Sequence, residues 1–248
     1  MASPVEQFRI EPLIKLAPAG IDISFTNSSL MMAIAVIGAT AFLSLAMRRK
    51  SLVPDRAQAA AELCYSLVAN MIRENIGEHG RQYFPLVFTL FCIVLLGNML
   101  GMLPYSFTYT SHLVVTGALA LMIFLTVIVI GFARHGPRFV KVCVPPDVPK
   151  FLLPLVIAIE IISFLARPVT LSVRLFANMM AGHLILKVFA GFSVMMASMG
   201  LAGFVGGLLP MLFNVVFIAF EFLIAFLHAY VFAILSCIYL KDTIEIEH

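Results

Sequence analysis

Apolar residues do not alternate with polar ones along this chain; they run together in blocks long enough to cross a bilayer. Crossing the hydrocarbon takes roughly 20 apolar residues at about 1.5 Å each. Three blocks meet that length simply: 29–47, 84–103 and 113–133. Between the first two, 53–81 carries Leu63, Leu67 and Met71 on a helical period, with Arg56, Glu62, Arg73 and Glu74 among them. That pattern predicts an amphipathic helix lying on the membrane surface. The last two blocks, 151–199 and 201–240, are about twice the length of a perpendicular span, so each is either strongly tilted or broken. Gly200, Gly203, Gly206 and Gly207, followed by Pro210, mark the turn between them and predict a long hairpin. The expected fold is an all-α membrane protein with five crossing helices and one surface helix. A mixed-polar segment, 1–28, precedes a single membrane domain, 29–248.

Composition agrees with this and narrows the function classes. Of 248 residues, 62% are apolar and 12% charged, with a mean hydropathy of +1.05, which excludes a water-soluble core. The net charge of +3 is small and dispersed, which excludes a nucleic-acid partner. Trp is absent and Phe occurs 22 times, so Tyr and Phe must do the interfacial anchoring. Cys64, Cys92, Cys143 and Cys237 are far apart, and neither a disulfide nor a metal site is expected of them. Up to Asn27 the chain scatters Glu6, Arg9, Glu11, Lys15 and Asp22, a pattern that predicts no cleavable signal.

The basic residues set an orientation. With the N-terminus outside, the inner segments hold Arg48, Arg49, Lys50, Arg56, Arg73, Arg81, Arg134, Arg138, Lys141, Lys150 and Lys241, whereas the outer side holds only Arg9 and Lys15. Five crossings then leave the C-terminus inside.

Charges inside the apolar blocks carry the candidate chemistry. A charged side chain at the bilayer centre costs at least about 2.5–3.5 kcal/mol on insertion scales, so each needs a partner or water. Glu160, Arg167 and Arg174 recur every seven residues, which keeps them within about 40° on one helical face. Asn178 continues the stripe one turn on, and Ala177, Ala181 and Gly182 keep the neighbourhood thin enough for another helix. His183 lies nine positions past Arg174, rotated about 180° and displaced about 13 Å toward the outer end. In the sixth block Asn214, Glu221 and His228 also repeat every seven residues. An antiparallel hairpin can bring Glu221 near His183, a carboxylate and imidazole pair suited to passing protons near neutral pH. Two polar regions with an arginine between them result, Glu160 toward one side and His183 with Glu221 toward the other.

Structural readings stand beside these. An intramembrane arginine such as Arg174 can tie two helices together. Arg167 precedes Pro168 and can satisfy carbonyls freed by the proline, or serve transport directly. Lys187 reads as snorkelling and His112 as a surface loop residue. Asn98, within Gly97-Asn-Met-Leu-Gly101, reads as an interhelical hydrogen bond beside a small-xxx-small contact. Asn214 follows Pro210 by one turn and can be local structure. No internal repeat is present, which disfavours a secondary transporter. A structural scaffold needs no ionisable stripe on two consecutive helices.

The segment Pro168-Val-Thr-Leu-Ser-Val-Arg174-Leu-Phe-Ala-Asn178-Met-Met-Ala-Gly182-His183 closely resembles the signature of subunit a of F-type ATP synthases, most of all the alphaproteobacterial and mitochondrial branch. Phe25-Thr-Asn-Ser-Ser-Leu30, Gly97-Asn-Met-Leu-Gly-Met-Leu-Pro104-Tyr-Ser-Phe107, Thr110-Ser-His112 and Ala229-Tyr-Val-Phe-Ala-Ile-Leu-Ser-Cys-Ile-Tyr239 support it. The resemblance implies a stator subunit without a catalytic centre or cofactor, working against a ring of c subunits and held by b-type peripheral-stalk subunits. It implies a bacterial inner membrane, or alternatively the mitochondrial one. By the same resemblance Arg174 faces the ring carboxylates, Glu160 lines the inner half-channel, and His183, Glu221 and His228 line the outer one. Asn178 is a supporting polar contact and Asn214 a further position on the outer path. His228 departs from the family pattern, where glutamine is commoner: either neutral imidazole reproduces the amide's hydrogen bonding, or His228 titrates as a relay member.

Overall fold

The computed structural model describes residues 8–15, 24–48, 51–103, 106–137, 139 and 151–244. Glu6, Asp22, Pro104, Tyr105, Cys143 and the basic residues Arg49, Lys50, Arg138, Lys141 and Lys150 lie outside the described residues. A short antiparallel pair, β1 (Pro12–Ile14) and β2 (Phe25–Thr26), leads directly into α1 (Asn27–Ala46). Then follow α2 (Arg56–Ile76), α3 (Phe84–Gly101), α4 (Leu113–His135), α5 (Leu153–Ala197) and α6 (Leu201–Ile244). Five of these, all but α2, are long and apolar enough to cross a membrane.

Physical causes for the boundaries are visible. Asp55 caps α2, its carboxylate accepting from the Arg56 N–H at 2.7 Å. Gly77, at φ +77°, stops the same helix, its N–H bonded back to the Arg73 carbonyl at 3.1 Å. The buried stripe of α2 runs through Ala61, Val68, Met71, Ile72 and Ile76, whereas Leu63 is 67% exposed. The helix is thus amphipathic as predicted, with its buried face rotated away from Leu63.

The two long blocks are not broken. Pro168 and Pro210 lie inside continuous helices of 45 and 44 residues, each about 67 Å long. An apolar helix of twice the bilayer thickness buries its length by inclining to the normal. Apolar side chains cover the outside of these helices: Ile37, Ile162, Val194, Leu212 and many others are exposed. That inverts the soluble pattern and is what lipid requires.

Packing divides the chain into two compact units, and α1, α3, α5 and α6 each contribute to both. In the first (Met1–Ala41, Ile93–His112, Leu175–Ala229), the loop after α3 folds back onto that helix. Tyr109 donates its hydroxyl proton to the Ile93 carbonyl at 2.8 Å and occupies the space at Gly97, where a Cβ would stand 2.4 Å from its oxygen. Burial raises the Tyr109 phenol above its ordinary pKa. Thr108 fills the corresponding space at Gly101. The two glycines therefore admit loop side chains, and the small-xxx-small reading needs that correction. Asn98 between them is fully buried and donates to the Ala225 carbonyl of α6 at 3.2 Å, the interhelical bond its sequence position predicts. His112 is half-buried and stacked on Phe107, with ring centroids 5.1 Å apart, and burial lowers its pKa. It is a packing residue rather than a surface one.

In the second unit (Phe42–Cys92, Leu113–Arg174, Tyr230–His248), Thr116 of α4 and Ser172 of α5 share a buried hydrogen bond of 3.2 Å. Phe124 and Phe139 pack on Phe164. Arg167 turns across the hairpin, its guanidinium donating to the Asp242 carboxylate at 2.8 Å. The rings of Phe164 and Tyr239 flank it, with centroids 5.6 and 5.2 Å away. This clamp is the role the structure gives Arg167, in place of carbonyls freed by Pro168.

Two outcomes test this packing. Gly97→Ala forces Tyr109 from its place and lowers the stability of the solubilised protein by about 1–3 kcal/mol, whereas Tyr109→Phe, losing one hydrogen bond, costs about 1 kcal/mol; thermal unfolding ranks the two. Reversing either charge, by Arg167→Asp or Asp242→Arg, destabilises the hairpin, and combining them recovers part of the loss. A double-mutant cycle should give a coupling of about 0.5–3 kcal/mol, incomplete because carboxylate does not stack on Phe164 and Tyr239.

Candidate functional site

The α5–α6 hairpin brings His183 and Glu221 together. His183 Nδ1 stands 3.8 Å from Glu221 Oε1, and the two side chains are only 11% and 6% exposed. The approach depends on Gly182, where a Cβ would lie 2.6 Å from the same oxygen. Neither Glu221 oxygen has a hydrogen-bond partner among the described residues. A buried carboxylate in that state is costly as an anion unless a cation stands beside it. The imidazole is the cationic partner within ion-pair distance among the described residues, at 3.8 Å.

Two cavities meet this pair. One, of about 680 Å³, is lined by Phe8, Arg9, Glu11, Asn27, Thr108 and His183, with Lys187 also on its wall. The other, of about 190 Å³, is lined by Asn178, Gly182 and Glu221 with surrounding apolar side chains. His183 thus faces the larger and Glu221 the smaller, with 3.8 Å between the two side chains. On its far nitrogen, Nε2, His183 meets the Thr108 hydroxyl at 3.1 Å.

Asn178 and His228 are brought together as well, the amide Nδ2 against imidazole Nε2. His228 Nδ1 lies 2.7 Å from the Ile224 carbonyl, which can only accept, so Nδ1 carries the proton and Nε2 accepts from Asn178. One donor and one acceptor is the pattern of a side-chain amide.

Other predicted residues stand apart from these contacts. Asn214 is half-buried, lines neither cavity, and its Oδ1 has no partner among the described residues. Glu160 is half-buried and Arg174 exposed on α5, and neither forms an ion pair or hydrogen bond among the described residues. Along one continuous helix Glu160, Arg167 and Arg174 keep their spacing of seven, and of the three Arg167 alone forms an ion pair among the described residues.

Thr108 and Asp242 were not legible as site residues. Asp242 continues the seven-residue series Asn214, Glu221, His228 after one apolar step at Leu235, a signal that was present. Thr108 carried none, because its place follows from the space at Gly101.

The family model described as ATP synthase A chain matches residues 29–241. The chain is similar to "ATP synthase subunit a" of Rhodospirillum rubrum, 54% identical over 247 residues and all of both chains. It is 51% identical to the protein of that name from Parvibaculum lavamentivorans, over 99% of this chain and 94% of the relative. With that of Rhizobium etli it shares 52% over 98% and 97%. A match over most of the chain, together with full-length relatives at this identity and five long apolar helices, places the chain in the ATP synthase A chain family.

Proposed function

We propose that this chain is the proton-translocating stator subunit of an F-type ATP synthase, forming two offset half-channels against a ring of c subunits. The observation that carries the proposal is Arg174: a guanidinium in an apolar helix, exposed, with no counter-ion among the described residues. Such a charge calls for an anion from outside the chain. A ring carboxylate supplies it, and Val173, exposed and next to Arg174 in the chain, offers apolar contact to a ring of helices.

In this reading protons from the outer side reach His183 through the larger cavity, pass to Glu221, and leave through the smaller one toward Asn178. Asn178 is one turn from Arg174 on α5, so the outer path ends beside the ring carboxylate's partner. Glu160 stands about 21 Å along the helix on the other side and lines the inner half-channel. His228 holds Asn178 in place, and Asn214 lies farther along the outer face of α6. Arg174 favours the ionised ring carboxylate only where it stands. At an effective dielectric near 20 and about 4 Å, the attraction is on the order of 4 kcal/mol. A carboxylate must therefore lose its proton to pass Arg174 and regain one from the opposite half-channel. Each proton falling through 100 mV supplies about 2.3 kcal/mol, which biases the rotation. The chain has no catalytic centre of its own. Its partners are the c ring, the b-type stalk and the nucleotide-binding head, in a bacterial inner membrane with the N-terminus outside.

Arg174→Ala is expected to abolish ATP-driven proton pumping by the assembled complex in vesicles; coupled pumping by that variant would overturn the proposal. Exchanging the pair, His183→Glu with Glu221→His, should retain more pumping than either change alone. An exchange no better than the worse single variant would separate the two residues functionally.

A further inference from the structure

Thr108 belongs to none of the roles above, yet its surroundings are specific. It is 5% exposed, and its hydroxyl has two neighbours: the Gly101 carbonyl at 3.3 Å and His183 Nε2 at 3.1 Å. The carbonyl only accepts. A hydroxyl that donates to Gly101 therefore presents its lone pairs to a protonated Nε2, and one that turns around donates to an unprotonated Nε2. We propose that Thr108 is a positioning residue for His183, keeping Nε2 hydrogen-bonded in either protonation state so that Nδ1 stays directed at Glu221. This rests on reading His183 as a member of the outer proton path.

The loop is built to hold that hydroxyl in place. Gly101 leaves the space Thr108 fills, since a Cβ there would stand 2.5 Å from its Oγ1. Tyr109 anchors the next position to Ile93, and the Ser111 hydroxyl donates to the Thr108 carbonyl at 2.5 Å. Thr108 and His183 also line the same cavity, whereas Glu221 meets the opposite nitrogen. When an imidazolium gives its Nδ1 proton to the Glu221 carboxylate, the neutral ring keeps its Nε2–H, which the hydroxyl already accepts. The ring need not turn. Without the hydroxyl, Nε2 has no hydrogen-bond partner among the described residues and the imidazole loses its orientation toward Glu221.

The test is passive proton conduction through the assembled membrane sector in vesicles stripped of the nucleotide-binding head. Thr108→Val keeps the shape and removes the hydroxyl, and should lower conduction about fivefold, the equivalent of one hydrogen bond. Thr108→Ser restores the hydroxyl and should restore most of the conduction. A packing role alone predicts the reverse order, valine better than serine. Conduction by Thr108→Val at the unsubstituted level, or serine no better than valine, overturns the proposal. Should the valine variant fail to assemble, Thr108→Ala against Thr108→Ser decides it in the same way, equal conduction again overturning it. His183→Ala is measured alongside: its unchanged conduction would sink the proton path itself, whereas its loss with Thr108→Val unaffected sinks only the role of Thr108.

Discussion

Three glycines hold the polar interior of this protein together by leaving space on a helix for a side chain from elsewhere. Gly97 admits Tyr109, Gly101 admits Thr108, and Gly182 admits the carboxylate of Glu221, each where a Cβ would come within 2.6 Å or less of an occupying atom. In hydrocarbon an unbonded polar group finds no water, so it must be delivered to a partner with little room to spare. Side chains at Gly97 and Gly101 would hold the loop off α3, and one at Gly182 would hold Glu221 of α6 off α5. The His183–Glu221 pair, the Thr108 contact and the folded-back loop all follow from that close approach.

This constraint marks the boundary of what the sequence discloses. Hydropathy disclosed the long helices and their order, because bilayer thickness imposes their length whatever they pack against. Seven-residue spacing disclosed which polar residues share a face of α5 or α6, and the turn near Gly200 disclosed that the two helices face each other. What fills a glycine's space is a three-dimensional fact. Gly97 and Gly101 read as a helix contact, and a loop fills them instead; Leu63 read as part of the apolar face of α2, and that face lies elsewhere. Spacing assigns a direction to a side chain but not a neighbour.

Arg167 and Arg174 show the same limit most sharply. They share a helix, a residue type and a face, and sequence periodicity treats them alike. Asp242 and two aromatic rings enclose Arg167, whereas Arg174 stands exposed and forms no ion pair among the described residues. The first is satisfied within the chain and holds the hairpin shut. The second has no such anion among the described residues, and a charge in an apolar helix calls for a partner or water.

The two histidines of the hairpin divide in a comparable way, and here the division concerns protons. His228 donates from Nδ1 to a carbonyl that cannot turn and accepts at Nε2 from an amide donor. Adding a proton at Nε2 would set two donors against each other until Asn178 rotated its amide. His183 meets a hydroxyl, which donates or accepts by a simple rotation, and a carboxylate, which accepts a proton or returns it. A relay must present acceptable hydrogen bonds in each state it passes through. His183 has neighbours that adapt, whereas Asn178 and the Ile224 carbonyl offer His228 one donor and one acceptor, the pattern an amide would meet.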